Sequence, residues 1–330
     1  MTVPPAPDAD AVFGAPRASG AQHRIARGGA EAVVAALAGA LRTYRVDGVD
    51  LTEPYGPDMA PPAGNGIQMS PWPNRVAGGR WELDGAVQQL DVTEPSRGHA
   101  SHGLLRNTHF TAESVAEDAV TLRGEIHPQH GWPFRLTHRV AYALDDAGAL
   151  TVTMSLENHA DAEAPVAFGA HPFLRIGDVP SAELTLQVPA REWIRTGEDL
   201  IPVETLPVDG GPQDFRSGRP VGAQGLDVGL TGLEADDDGL HRARLLAPDG
   251  RSVTLWSDPA FTVTHVFVTD RLPGRDVAVA VEPLTAPADA LNSGTGLHRL
   301  APGATLTARW GLVPDLAPAA PAAAPKEDAA

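Results

Sequence analysis

The chain has 330 residues, 42% of them hydrophobic, a formal charge of −17 and no cysteine. That is enough apolar mass for one large domain or two smaller ones. The charge argues against nucleic acid or anionic membranes as partners, and the missing thiols exclude disulfides and thiolate metal sites.

The opening MTVPPAPDADAVFGAPR has no basic stretch followed by an apolar one, so no secretory signal is expected. No apolar run approaches the ~20 residues that span a bilayer. A cytoplasmic protein is the simplest expectation. Residues 1–20, rich in Pro, Ala and Asp, read as a loosely ordered segment, and the Pro/Ala-rich 316–330 as a disordered tail. No linker-like stretch divides the remainder, so one domain is expected over 21–315.

In chain order, AEAVVAALAGAL (30–41) is Ala/Leu-rich enough for a helix, yet Gly28, Gly29 and Gly39 bracket it at a length suited to two short strands; the pattern leaves both open. RLTHRVAYAL alternates Leu136, His138, Val140, Tyr142 and Leu144 against their neighbours. LTVTMSLEN sets Leu150, Val152, Met154 and Leu156 on one face and Thr151, Thr153 and Ser155 on the other. ELTLQV, RSVTLW and ATLTARWGL repeat the period of two. VDG, LDG and APDG mark turns, and 34 Gly with 31 Pro suit a chain of many turns. The expected class is all-β, a large antiparallel β-sandwich.

Stock phosphate and nucleophile motifs are missing: there is no P-loop, no GxSxG elbow and no GxGxxG after a strand. His127 and His130 in HPQHGW have a metal-compatible spacing. Pro128, however, breaks the helix that usually presents such a pair, and no acidic third ligand is evident, so turn histidines without a metal are expected.

Four segments are better candidates. In SPWPNRVAGGRWELDG (70–85), two prolines and a tryptophan lead into Asn74-Arg75. Arg75 either caps a carbonyl or holds its fork of donors toward hydroxyls or carboxylates. HASHGLLRN (99–107) places His99 and His102 near Gly103, which permits close backbone approach. In AFGAHPFLRIG (167–177), Pro172 biases Ala170-His171 toward extended backbone and Gly169 suits a chain passing close to a ligand. His171 there is a hydrogen-bonded turn residue or a fixed proton donor. In VAVAVEPLTAPADALNSGTG (277–296), Val277, Val279 and Val281 point one way and Ala278, Ala280 and Glu282 the other. The Glu282 face carries only methyl groups, which leaves room above it, and Pro283 is expected to stop the ladder. Such a carboxylate suits a general base in a cleft, or else a solvent-facing salt bridge.

SPWPNRVAGGRWELDG, ASHGLLR, GWPF, GAHPFLRIG, GLDVGL and VEPLTAPADALNSGTGLHRLAPGATLTARWGL follow one another in the order, and at about the spacings, of aldose 1-epimerases (galactose mutarotases). The chain resembles that family over roughly residues 20–314, most closely its bacterial branch with HG and HP signatures. The resemblance implies a galactose mutarotase-like β-sandwich, and therefore strands for 30–41. It implies Glu282 as general base and His171 as general acid, with His102, Arg75 and Asp227 holding the sugar; Asn74, next to Arg75, is a further candidate contact. Val228 and Gly229 follow Asp227 where relatives commonly carry an aromatic, and HPF stands for the more usual HPY.

The implied reaction interconverts the α and β anomers of a free aldose such as glucose or galactose, by ring opening, rotation about C1–C2 and reclosure. One group takes the C1 hydroxyl proton while another protonates the ring oxygen. No metal or other cofactor is required. With a reference pKa of ~6.5, His171 beside a carboxylate is expected to stay protonated. A small-molecule sugar is the expected partner, and monomer and homodimer are both open. A hexose-6-phosphate 1-epimerase would need further Arg or Lys, and only Arg75 and Arg80 lie beside the motifs. A non-catalytic carbohydrate-binding sandwich would keep Trp72, Trp132 and Trp193 as platforms without needing the acid/base pair.

Overall fold

The computed structural model describes residues 17–222 and 225–317. Residues 1–16 of the expected N-terminal segment and 318–330 of the expected tail lie outside the described residues. Ser19 is already buried, and its hydroxyl donates to Pro57 O at 2.6 Å.

The period-two segments form strands. Leu150–Asn158 alternates buried and half-buried residues along its whole length. It pairs antiparallel with Leu136–Leu144, from Leu136 opposite Asn158 to Leu144 opposite Leu150. The ambiguous 30–41 stretch is two antiparallel strands, Ala30–Ala35 and the start of Ala40–Val46. Ala38 (φ 61°) and Gly39 (φ 56°) turn the chain between them. Helix propensity loses because the segment is needed on both sides: Val33, Val34, Leu41 and Tyr44 are all buried, which a single helical stripe could not achieve.

Two large sheets dominate. A nine-stranded sheet runs, in spatial order, through the strands that begin at Thr111, Ala119, Leu136, Leu150, Thr305, Ser252, His241, Thr185 and Arg219. An eight-stranded sheet runs from Pro202–Pro207 through Ala190–Thr196, Asp227–Leu233, Val263–Thr269, Ala278–Leu284 and Gly169–Ala170 to Gln68–Met69, with Phe173–Leu174 also paired to Ala278–Leu284. Every strand pairing in both is antiparallel. The main core joins Val152, Met154 and Trp310 of the first sheet to Leu230, Val266, Val279 and Val281 of the second. Because side chains alternate along a strand, Asp227, His265 and Glu282 fall on the opposite face of the eight-stranded sheet from these core residues. No helix among the described residues is long and apolar enough to cross a membrane.

Two local expectations are corrected. Pro283 does not stop the ladder, which continues to Leu284 opposite Val263. Val281 N donates to Pro172 O and Thr285 N to Phe168 O. Pro283 therefore falls between two bonds on that edge, and its missing N–H leaves the pairing with Val263–Thr269 intact. Nor does the methyl-paved face stay open: Phe173 and Leu272 pack on Ala278 and Ala280, with Phe267 alongside. Space remains only at the Glu282 end.

Candidate active site

Three adjacent strands bring the first set of polar groups together. His265 lies directly opposite Glu282, and on its other side opposite Gly229. Asp227 is paired with Phe267, so it sits diagonally from His265, within reach of a long side chain. His265 Nε2 meets Asp227 Oδ1 at 2.8 Å. A Cβ on Gly229 would press on Ile194 Cδ1 at 3.2 Å and meet His265 Nδ1 only at ordinary contact distance, 3.6 Å.

The segment carrying His171 is pinned from both sides. Its N–H donates to Ile67 O at 3.1 Å, and its carbonyl accepts from Gly66 N at 2.8 Å. The imidazole stacks on Phe173, with ring centroids 5.2 Å apart, and its Nε2 stands 3.3 Å from Glu282 Oε1. Gly169 serves this packing rather than a ligand: a Cβ there would fall 2.5 Å from Leu284 Cδ2 and 2.8 Å from Pro283 O. Glu282 Oε2 is buried without a hydrogen-bond partner.

Arg75, Asn74 and His102 come from two loops joined by a short ladder in which Arg75 pairs with Ser101. Asn74 (φ 53°) and His102 (φ 63°) both adopt left-handed backbone, which costs an ordinary residue about 1 kcal/mol and marks a conformation imposed by its surroundings. His102 N donates to Asn74 O at 2.8 Å. Gly103 follows, and a Cβ on it would lie 2.1 Å from Ser70 O. Asn74 Oδ1 accepts from Arg75 N at 2.9 Å and from its Nη1 at 3.3 Å. Arg75 grips Glu94 with Nε at 2.8 Å and Nη2 at 3.2 Å, and Nη2 lies 3.6 Å from Asp227 Oδ2. Of the two uses open to Arg75, holding carboxylates is the one observed.

All six candidates, Asn74, Arg75, His102, His171, Asp227 and Glu282, line one cavity of about 210 Å³. Its electrostatics correct one expectation. Burial pushes His171 down to about 3 rather than leaving it protonated, and pushes Glu282 up to about 8. Both groups therefore favour their neutral forms near pH 7, and together they hold one proton. Burial would also raise Asp227, but the hydrogen bond and charge of His265, with Arg75 nearby, hold it at about 2. Burial opposes the charged form of His265 too, yet Asp227 and Glu282 outweigh it and raise its pKa. His102 is held well below the usual imidazole range by burial and then by His171.

The cavity also contains residues that the sequence did not single out. His265 had a visible signal, a titratable residue inside the apolar alternation of FTVTHVFVT. Arg106 lay inside the quoted ASHGLLR stretch without a role. Glu94 and Arg271 sit in turns with no periodic pattern. Arg80 is not among the lining residues; it donates to Gln89 Oε1 at 3.0 Å. His99 is structural, accepting from Gly78 N through Nδ1 at 3.1 Å and meeting Asp199 O through Nε2 at 3.0 Å. Trp72 and Trp132 are buried, 5.7 Å apart between ring centroids, and offer no sugar platform; Trp193 is partly buried against the core. His130 Nδ1 lies 3.6 Å from Asp91 on an exposed surface. Among the described residues, no group of three or more His, Asp or Glu is arranged to hold a metal ion.

Residues 22–312 match the family model for aldose 1-epimerases. The uncharacterized protein YihR of Escherichia coli (strain K12) is 30% identical over 286 residues, covering 86% of this chain and 90% of that protein. Among solved structures, the GalM/aldose epimerase homologue from C. elegans superposes with a TM-score of 0.78 at 18% identity, covering 89% of this chain and 98% of that one. The galactose 1-epimerase from Lactobacillus acidophilus NCFM gives 0.72 at 16% identity, covering 87% and 92%. The chain belongs to the aldose 1-epimerase family, and its fold is the galactose mutarotase-like β-sandwich that the sequence motifs imply.

Proposed function

We propose that this protein is an aldose 1-epimerase that interconverts the α and β anomers of a free aldose by acid/base ring opening. The observation that carries this is the His171–Glu282 pair, 3.3 Å apart at the base of a polar cavity and holding one proton between its members. Ring opening needs one acid and one base, and a one-proton pair supplies both.

With the site empty of sugar, burial places the proton on Glu282. A C1 hydroxyl donating to Glu282 stabilises the carboxylate and shifts the proton to His171. Glu282 then takes the C1 hydroxyl proton while His171 protonates the ring oxygen, and the bond from C1 to the ring oxygen breaks to give the open aldehyde. After rotation about C1–C2 the steps reverse on the other face: the ring hydroxyl attacks C1 and returns its proton to His171, and Glu282 protonates the new C1 oxygen. The pair ends as it began. Each positioned group of this kind contributes ~10²–10⁴-fold. Arg75, Asn74, His102 and the Asp227–His265 ion pair provide donors and acceptors for the remaining hydroxyls.

Polarimetry on freshly dissolved α-anomers of a panel of aldoses, glucose and galactose among them, tests this. The protein should accelerate decay of optical rotation for at least one of them, and Glu282→Gln should remove that acceleration. Sugar binding with no acceleration of any aldose would instead mark a carbohydrate-binding module.

A further inference from the structure

Charges around the cavity do not balance. Arg75, Arg106, Arg271 and His265 line the cavity with Glu94 and Asp227, while burial raises the pKa of Glu282 and so disfavours its charge. Basic side chains thus outnumber the carboxylates that pair with them, in a chain whose formal charge is −17. Local charge of the sign opposite to the whole molecule concentrates ions of the other sign in a cleft.

The excess belongs to two residues. Arg75 is matched by Glu94 and Asp227, and His265 by Asp227. Arg106 is half-buried, and burial lowers its pKa. Its one hydrogen bond among the described residues is a long contact of 3.4 Å from Nη1 to Ser101 O, which leaves most of the five guanidinium donors without a protein partner. Arg175, which is buried, is treated quite differently: Glu53 lies 3.2 Å from its Nη1, and Gly177 O accepts from its Nε at 2.8 Å. A half-buried guanidinium that feels Glu94 only through space and leaves most of its donors unused can take the anionic group of a ligand. Arg271, on the exposed side, lies 6.0 Å from the centroid of Phe267, another lining residue, and forms no ion pair among the described residues.

We propose that the aldose taken by this site bears an anionic group (a carboxylate, sulfonate or phosphate) gripped by Arg106, with Arg271 adding positive charge at the cavity's exposed side. This rests on the epimerase reading above. A planar guanidinium fork matches all three anions. Arg106 and Arg271 supply, inside the cavity, the further arginines that a phosphorylated substrate would need.

The test compares kcat/KM for anomerisation of glucose, glucuronate, glucose 6-phosphate and a hexose 6-sulfonate. At least one anionic hexose should exceed glucose by tenfold or more, and the advantage should shrink in about 0.5 M NaCl, where charges are screened. The three anionic arms rank carboxylate, sulfonate and phosphate. Arg106→Gln should lower the ratio of anionic to neutral kcat/KM at least tenfold. Arg271→Gln, at an exposed position where folding is not in question, should lower it severalfold. Glucose matching or exceeding every anionic hexose would overturn the proposal, as would an unchanged ratio in both variants. Should no aldose be accelerated, the epimerase reading falls. Calorimetric titration with the same three anions then decides the anion site: binding that Arg106→Gln abolishes keeps it, and no binding removes it.

Discussion

His265 stands directly across the ladder from Glu282, yet its Nε2 turns to Asp227 Oδ1 at 2.8 Å, while Glu282 Oε1 faces His171 at 3.3 Å. Two histidines and two carboxylates thus sort into one ion pair and one neutral pair on a single sheet face. The sorting follows from burial and partners: Asp227 has His265 and Arg75 against it, whereas Glu282 Oε2 has no partner.

Activity should depend on pH through the proton shared by His171 and Glu282. The one-proton state exists between the two values, about 3 and about 8, and the titrations belong to the pair. The kcat/KM profile should be flat through neutrality and fall with unit slope above about pH 8. A profile that rises through pH 8 would contradict the assignment.

Glu282→Gln should remove ~10²–10⁴-fold in kcat and make the protein more stable. Burial pushes the folded carboxyl up to about 8, against an ordinary 4.5. The unfolded state therefore loses this proton first, and folding weakens as pH rises through that interval. Replacing the acid with a neutral amide should recover on the order of 1–3 kcal/mol at pH 7 and nothing near pH 4. Denaturant unfolding at both pH values checks this; equal midpoints for the two proteins at pH 7 would refute it.

Asp227→Asn should uncouple His265. The raised imidazole depends on the Asp227 hydrogen bond against the burial that lowers it, so its NMR-observed titration should drop below the ordinary imidazole range. Removing one partner of a buried pair costs about 3–5 kcal/mol, less here because His265 can give up its proton. In the native protein the Asp227 contribution is present above the unfolded aspartate pKa and lost as pH falls toward about 2. The His265 contribution is present in acid and lost as pH rises through its elevated value. An unshifted His265 in Asp227→Asn would show that Asp227 is not what raises it.

Gly169→Ala should damage activity more than its single methyl suggests. Its Cβ would need room 2.5 Å from Leu284 Cδ2 and 2.8 Å from Pro283 O, which forces the His171 segment away from the Glu282 strand. A stability loss of about 1–3 kcal/mol should accompany a fall in kcat with less change in KM. Unaltered kcat in a folded variant would mean that the His171–Glu282 spacing is not critical.

The period-two stretches at 136–144 and 150–158 declared their strands and their buried faces, because alternation records which side meets the core. The opposite holds for 30–41, where local propensity left helix and strands open and burial on both faces decided. Asn74, Arg75, His102, His171 and Glu282 stood out through the proline, glycine and charge around them, and Asp227 only through the family resemblance. Glu94, Arg106 and Arg271 did not, since nothing in a turn's own sequence says which cavity it will rim. Sequence by itself determined the strands, the family motifs and the residues able to move a proton. Only tertiary structure decided their ionisation, because burial and ion pairing are properties of neighbours far along the chain: it put His171 beside Glu282, His265 beside Asp227, and left Arg106 with most of its donors unused.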